Sequence, residues 1–472
     1  MTAYSMIIDG KEVGKDLKTI DVINPATGNT IATVPYGGAN EAVLAVNAAY
    51  DAFQEWSGLT AYDRSSLLDK WHELIEKHTE DLAQTMTEEQ GKPLAEARGE
   101  IKYANGFISW YAEEAKRIYG EMIPASHTGK RIFVHKQPVG VTAVITPWNF
   151  PAAMITRKVG PALAAGCTVV IKPAEQTPIT AIRLVRLAME AGIPPGVINV
   201  VTGDASTIGK AWLQDTRVRK LTFTGSTEIG KLLMRGAADT VKKISLELGG
   251  HAPAIVMEDS DIDKAVDGVV AAKFRNAGQT CVCANRIYVH ESIAEEFAAK
   301  LVERVKQLKV GNGMDEGVAI GPLIDEDAIR KVQSHVDDAL SKGAKIAVGG
   351  TGMDGLFFEP TVLLDVKDDM VCMQEETFGP VAPITTFSSE EEVLRRANDS
   401  IYGLAAYVFT ENISRGIRMS EKLEYGIVGL NDGLPSTPQA PFGGFKQSGL
   451  GREGGHHGLD EYIEVKYISV GL

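Results

Sequence analysis

Cysteine is scarce, with four residues in a chain of 472. So few thiols over such a length form no disulfide framework, and the fold has to be held by its core. Basic charge is short as well: 48 lysines and arginines face 62 aspartates and glutamates, a formal net charge of −14. A nucleic-acid binder needs a basic face, and an acidic surface is repelled by anionic membranes, so neither partner is expected. No apolar run approaches the roughly 18 residues of a membrane span. The opening "MTAYSMIIDGKEVGKDLK" has none of the apolar stretch of a signal peptide. Cytoplasmic localisation is the expectation. Low-complexity segments and long single-sign charge blocks are missing too, so extended disorder is not expected. What remains is 44% hydrophobic, enough for a large core and two or more domains.

Residues 1–120 read as mainly helical. Val46, Tyr50 and Phe53 share one helical face, as do Leu67, Trp71 and Leu74. "RIFVHKQ" (131–137) is extended and pairs with the preceding "GEMIPA" as a hairpin. From 139 the pattern changes to short β-branched runs: "VGVTAVI" (139–145), "TVVIK" (168–172), "VINVV" (197–201), "KLTF" (220–223) and "KKISLEL" (242–248). Their spacing of roughly 20–30 residues is the rhythm of βαβ units with a parallel sheet. Thr177 and Pro178 open one connecting helix and Gly192 closes it. The reading is a Rossmann-like doubly wound domain, with a nucleotide as leading ligand. A second α/β region begins near 250. Its helix 326–342 aligns Ile329, Val332, Val336 and Leu340 and stops at Gly343, and strands follow at "KIAVGG", "VAPITTF", "AAYVF" and finally "YIEVKYISV" (462–470).

The glycine fingerprint G-x-G-x-x-G occurs at "GTGMDG" (350–355) and "GLGREG" (449–454). Neither follows a strand and opens a helix, so both read as loop glycines. "TFTGSTEIGKLL" (222–233) has the better context: a strand ends at Phe223 and Gly225-Ser226 opens a helix, whose first amides can face a phosphate. An ordinary strand–helix turn reads equally well.

Two of the four cysteines, Cys281 and Cys283, lie one residue apart in "FRNAGQTCVCANR" (274–286). Zinc wants four Cys or His ligands, usually in two pairs, and Cys167 and Cys372 stand alone in sequence. A Cys281–Cys283 disulfide would be strained and readily reduced, so it is no structural staple. A nucleophile and a small buried hydrophobe remain, and the residues alone leave both open.

The set "TPWNFP" (146–151), "KPAEQTP" (172–178), "FTGSTEIG" (223–230), "LELGG" (246–250), "GQTC" (278–281), "EETFGP" (375–380) and "PFGG" (441–444) resembles the aldehyde dehydrogenase superfamily in order and spacing across nearly the whole chain. "AAMITRKVGPALAAGC" (152–167) and "KFRNAGQTCVCANR" (273–286) resemble its succinate-semialdehyde dehydrogenases in particular. The resemblance implies a Rossmann-like cofactor domain over 1–118 and 139–249. It further implies a second α/β catalytic domain over 250–450 and a small β oligomerisation arm over 119–138 and 455–472, in a homodimer or homotetramer. Cys281 would attack the aldehyde carbon, the Asn149 side chain and the Cys281 N–H would hold the oxyanion, and hydride transfer to nicotinamide would leave a thioester. Glu247 would activate the water that hydrolyses it. An inactive protein on the same fold is the non-enzyme alternative, and the intact trio speaks against it.

By the same resemblance Lys172 and Glu175 meet the adenosine ribose, where a carboxylate disfavours a 2′-phosphate, so NAD is preferred and NADP tolerated. Gly225 and Ser226 lie at the phosphates, Trp148 walls the pyrophosphate, and Glu376, with Phe378 beside it, holds the nicotinamide ribose. Arg157, Arg275 and Ser436 would grip the distal carboxylate of a semialdehyde substrate. Internal ion pairing is the plainer alternative for either arginine. Glutarate semialdehyde and a broad aldehyde specificity are the alternative substrates. Cys283 reads as packing, with reversible oxidation against Cys281 as the sharper alternative. No metal is expected.

Overall fold

The computed structural model describes residues 2–472. The β-branched runs form a sheet whose order is Gly449–Leu450, Lys243–Glu247, Val218–Thr224, Val141–Ile145, Thr168–Lys172, Ile198–Val200, Met6–Ile8 and Lys11–Val13. Its five central strands are parallel, with in-register pairs such as Leu221↔Ala143 and Ala143↔Val170. From Val141–Ile145 the chain winds first toward Ile198–Val200, then restarts on the other side with Val218–Thr224. The strand order therefore reverses between these two neighbours, and a crevice opens beyond their carboxyl ends. Residues 146–149 and 224–226 border it.

A second sheet runs Lys345–Val348, Thr361–Leu364, Val381–Phe387, Ala284–His290, Ala252–Val256, Ala405–Phe409 and Ile427–Leu430. It is parallel except for Lys345–Val348. Only residues 248–251 separate the last parallel strand of the first sheet from Ala252–Val256 in the second, so the two sheets meet at the glycines of "LELGG". Each has its own apolar core, Val169, Ile171 and Leu184 on one side and Val256, Ile287 and Val408 on the other. The hairpin forms as expected: Glu121–Ile123 pairs with Lys130–Pro138, which pairs with Ile463–Gly471.

Some expectations change. Five short strands occupy residues 2–35 ahead of the first helix. The helix Ala39–Gly58 buries Ala42, Ala45, Val46, Ala49 and Trp56, while Tyr50 is exposed. The helix Glu326–Ser341 buries Val332, His335, Val336 and Ala339 and leaves Leu340 partly exposed. Helical spacing gives a stripe, but neighbouring elements decide which edge of it is covered. "GLGREG" is not merely loop: Gly449 pairs with Glu247 in the first sheet.

Candidate active site

The helix Ala153–Ala165 follows the first crevice-bordering loop and is buried along its whole length, although it carries Arg157 and Lys158. Two cations in an enclosed apolar helix need buried acids. They find Glu247 and Glu453. The Arg157 Nη2 lies 2.5 Å from Glu247 Oε2, and Glu453 pairs with both Arg157 and Lys158. Burial drives the Glu247 carboxyl above its ordinary value against the pull of Arg157. Burial acts on Glu453 likewise, but its two cations outweigh it and hold that carboxyl below the ordinary value. Glu247 is thus shut away from solvent, at 2% exposure.

Asn149 is equally enclosed. Its Nδ2 donates to Gln279 O at 3.0 Å, while its own carbonyl accepts from Lys92 Nζ at 2.8 Å and Asn276 Nδ2 at 3.0 Å. One amide hydrogen of Nδ2 is left for a further acceptor. The turn that supplies Asn276 is tight: Asn276 and Ala277 have φ of 51° and 54°, and Gly278, at 75°, passes so near Gly379 O that a Cβ would lie 2.1 Å from it. Only glycine fits there. The turn delivers Cys281, partly exposed, just before the strand Ala284–His290. Burial pushes the Cys281 thiol well above its ordinary value, the Glu247 carboxylate adds to that, and Arg157 opposes it.

Cys281 lines two cavities at once. One, of about 250 Å³, is walled by Tyr103, Phe150, Arg157, Arg275, Ser436 and Phe442 among others. The other, of about 330 Å³, is walled by Trp148, Asn149, Thr224, Gly225, Ser226, Glu376 and Phe378. A thiol at the junction of two chambers can exchange a group between molecules held in each.

The second chamber lies at the strand-order reversal and has the features of a nucleotide site. Thr224 Oγ1 is buried without a partner, Ser226 caps the helix Thr227–Ala238, and the helix start turns amides toward the opening. Phe378 holds φ at 55°, an uncommon backbone for a bulky residue, and its ring meets Trp148 edge-on at 5.6 Å. Glu376 accepts from Gly250 N at 3.0 Å, and burial raises its pKa to about 7. Lys172 and Glu175 stand outside this chamber, at the end of the adjoining strand. The Lys172 Nζ lies 2.5 Å from the Glu175 carboxylate, which is 39% exposed.

A profile of the aldehyde dehydrogenase family matches residues 13–468. The chain belongs to that family. As an aldehyde dehydrogenase it is an NAD(P)-dependent oxidoreductase acting on a small-molecule aldehyde. It is 56% identical to the succinate-semialdehyde dehydrogenase [NADP(+)] of Escherichia coli (strain K12), over 96% of this chain and 95% of that protein. It is also 56% identical to a glutarate-semialdehyde dehydrogenase of Pseudomonas putida, again over 96% and 95%. A crystal structure of succinate-semialdehyde dehydrogenase from Burkholderia pseudomallei superposes with a TM-score of 0.98, at 53% identity and covering 99% of this chain and 98% of that one. Among the described residues of this aldehyde dehydrogenase, no helix is long and apolar enough to cross a membrane.

Each residue singled out in the sequence thus has a place. Cys281, Asn149 and Glu247 converge, and Arg157, Arg275 and Ser436 share the first chamber. Arg157 is also ion-paired internally, the plainer of its two readings. Cys283 is wholly enclosed, its sulfur 3.3 Å from both Lys273 Nζ and Lys273 O, so the packing reading fits it best. Sequence reasoning missed Glu453, Tyr103, Thr224 and Lys331, the last lining the second chamber. The one available signal was the pair of cations at 157 and 158, which demanded acids without saying which.

Proposed function

We propose that this aldehyde dehydrogenase oxidises succinate semialdehyde to succinate. The observation that carries the reading is the first chamber: a thiol at its floor and, on its wall, the Arg275 guanidinium with no carboxylate within ion-pairing distance among the described residues. An aldehyde bearing a carboxylate at its far end matches both features.

In this reading Cys281 gives its proton to solvent and its thiolate sulfur attacks the aldehyde carbon, while Glu247 stays a carboxylate. The Asn149 Nδ2 hydrogen left free and the Cys281 N–H stabilise the oxyanion, each such donor being worth roughly 2.7–4 kcal/mol. When bound, NAD(P)⁺ supplies the hydride acceptor. Thr224, Gly225, Ser226, Trp148, Glu376 and Phe378 would hold it, with Lys172 and Glu175 at its adenosine end. Glu247 then takes a proton from the water that cleaves the Cys281 thioester. Arg157 keeps that carboxylate aimed at the sulfur.

The Glu175 carboxylate disfavours a 2′-phosphate, and its pairing with Lys172 softens the repulsion. NAD is therefore preferred and NADP accepted. The same reading makes 1–118 and 139–249 the cofactor domain, 250–450 the catalytic domain, and 119–138 with 455–472 an arm joining a homodimer or homotetramer. The exposed Met122, Val465 and Tyr467 on that arm support it.

The test is kcat/KM for succinate semialdehyde against butanal, its equal-length analogue without the carboxylate. A charge-assisted hydrogen bond contributes roughly 1.5–3 kcal/mol, so at least a tenfold preference is expected. Equal values would remove the carboxylate from the recognition. Glutarate semialdehyde is the second reading, favoured by the similarity to the Pseudomonas putida enzyme. One added methylene changes kcat/KM by roughly 10–200-fold, so direct comparison separates the two.

A further inference from the structure

A second buried ion pair lies outside the cluster around Glu247. Lys92, just ahead of the helix Leu94–Ala115, and Glu100 in the second turn of that helix are 2% and 5% exposed. The Lys92 Nζ lies 2.5 Å from Glu100 Oε2. A buried pair is seldom more stabilising than apolar residues of the same volume, so fold stability is a poor account of it. Its other bonds give a better one. The Lys92 Nζ also donates to Asn149 O at 2.8 Å and lies 4.1 Å from the centre of the Phe150 ring. The second oxygen of Glu100 accepts from the amides of Ala152 and Ala153 at 2.9 and 3.2 Å. The pair therefore grips the turn that carries Asn149 at both ends. Both residues border the first chamber, but each neutralises the other, so neither offers a free charge to a substrate.

The same stretch of chain reaches the other half of the site. Glu96, one helical turn before Glu100, accepts from Asn276 N at 2.8 Å. Asn276 belongs to the left-handed turn that delivers Cys281, and its Nδ2 donates to Asn149 O at 3.0 Å, beside Lys92. Asn149 Nδ2 in turn donates to Gln279 O, two residues before the thiol. Asn149 follows a strand of the first sheet and Cys281 precedes a strand of the second, yet both turns are pinned to residues 92–100. An oxyanion donor acts only within a narrow range of distance, and a misplacement of about 1 Å can cost roughly a hundredfold in rate.

We infer that Lys92 and Glu100 are positioning residues that act through Asn149: as a pair they fix its turn against the turn of Cys281, so that the free Asn149 Nδ2 hydrogen meets the oxygen of the attacked aldehyde. The inference rests on the oxyanion role given to Asn149 above and adds the residues that hold the donor in place.

The experiment is a mutant cycle between the pair and Asn149. It measures kcat, KM and melting temperature for the wild type, Lys92→Met/Glu100→Gln, Asn149→Ala and the triple variant. Changing both members of the pair leaves no unpaired charge, and glutamine keeps an acceptor for the Ala152 and Ala153 amides, so the fold should hold. In the pair variant kcat and kcat/KM should fall together, by roughly ten- to a hundredfold, the mark of an interaction made in the transition state. Iodoacetamide should still label Cys281 at the wild-type rate. In the Asn149→Ala background the same double change should cost less than about threefold, because the donor it aims is gone. Equal factors in the two backgrounds, slowed labelling, or a pair variant as active as the wild type would overturn the inference. Should the double variant not fold, Glu100→Asp, which keeps the charge and withdraws it by one methylene, enters the same cycle and is decided by the same outcomes. An Asn149→Ala variant with wild-type kcat would overturn the oxyanion reading itself, and is recognised without the pair variant.

Discussion

Glu247→Gln isolates the second half of the reaction. The Oε2 of Glu247 lies 2.5 Å from Arg157 and its Oε1 has no partner, which leaves one oxygen anchored and one free for a proton. Glutamine keeps the shape and an acceptor for Arg157 but cannot take that proton. General-base catalysis contributes about 10²–10⁴-fold, so steady-state kcat should drop by that factor. The fold should survive. Stripping one partner from a buried ion pair costs about 3–5 kcal/mol, but here the amide oxygen remains and Arg157 still has Glu453, so the loss should be smaller. In rapid mixing the variant should release one reduced nicotinamide per site in a burst and then stall at the thioester. A variant that binds cofactor yet shows no burst, or one that turns over within a few-fold of wild type, would refute the reasoning. Iodoacetamide labelling gives a second reading of the same contact. The Glu247 carboxylate raises the Cys281 thiol, so neutralising it should move the pH midpoint of alkylation downward. A midpoint that stays or rises would mean the two groups do not feel each other.

Two further outcomes follow from buried groups elsewhere. Glu89 caps the helix Pro178–Glu190 through Ile179 N and Thr180 N, and burial raises its pKa from 4.5 to about 7. Between those values the folded state holds more proton than the unfolded state. Stability should therefore fall as pH rises through that window, by up to roughly 3 kcal/mol for this group. Glu89→Gln should flatten the melting profile there only in part, because Glu376 titrates with the same sign; an unchanged profile would show that Glu89 ionises normally. For Cys283, which is enclosed and bonded to Lys273, peroxide inactivation of Cys281 should remain thiol-reversible in Cys283→Ala. Loss of that reversibility would restore the redox role.

The parallel strands were readable because each is a local event: a short β-branched run, a glycine turn, an amphipathic helix with a proline start. "TVVIK" became the strand Thr168–Lys172 without adjustment, and the helix after Thr177 begins at Pro178. The cluster around Glu247 was not readable, because Lys158 and Glu453 are 295 residues apart and no local pattern links them. Tyr50 and Leu340 failed for a related reason. Periodicity finds the apolar stripe, but burial depends on what a distant segment places over its margin. The strands of residues 2–35, most of them two or three residues long, are too brief to establish any alternation; Met6–Ile8 and Lys11–Val13 are strands because the edge of a sheet is there to pair with.

The same distance between cause and effect shapes the catalytic trio. Asn149 and Glu247 stand at or just beyond the carboxyl ends of strands in the first sheet, while Cys281 precedes a strand of the second. Nothing within either sheet sets the separation between sulfur and carboxylate. It is set where the sheets join, and Gly250 shows how closely. A Cβ on that residue would lie 2.1 Å from Cys281 O, so the backbone that leaves Glu247 passes against the backbone that carries the thiol. The glycines of "LELGG" thus act as a gauge between the two halves of the site. This accounts for a sequence motif in which only one residue carries a reactive group, since the others fix how near that group can come to its partner.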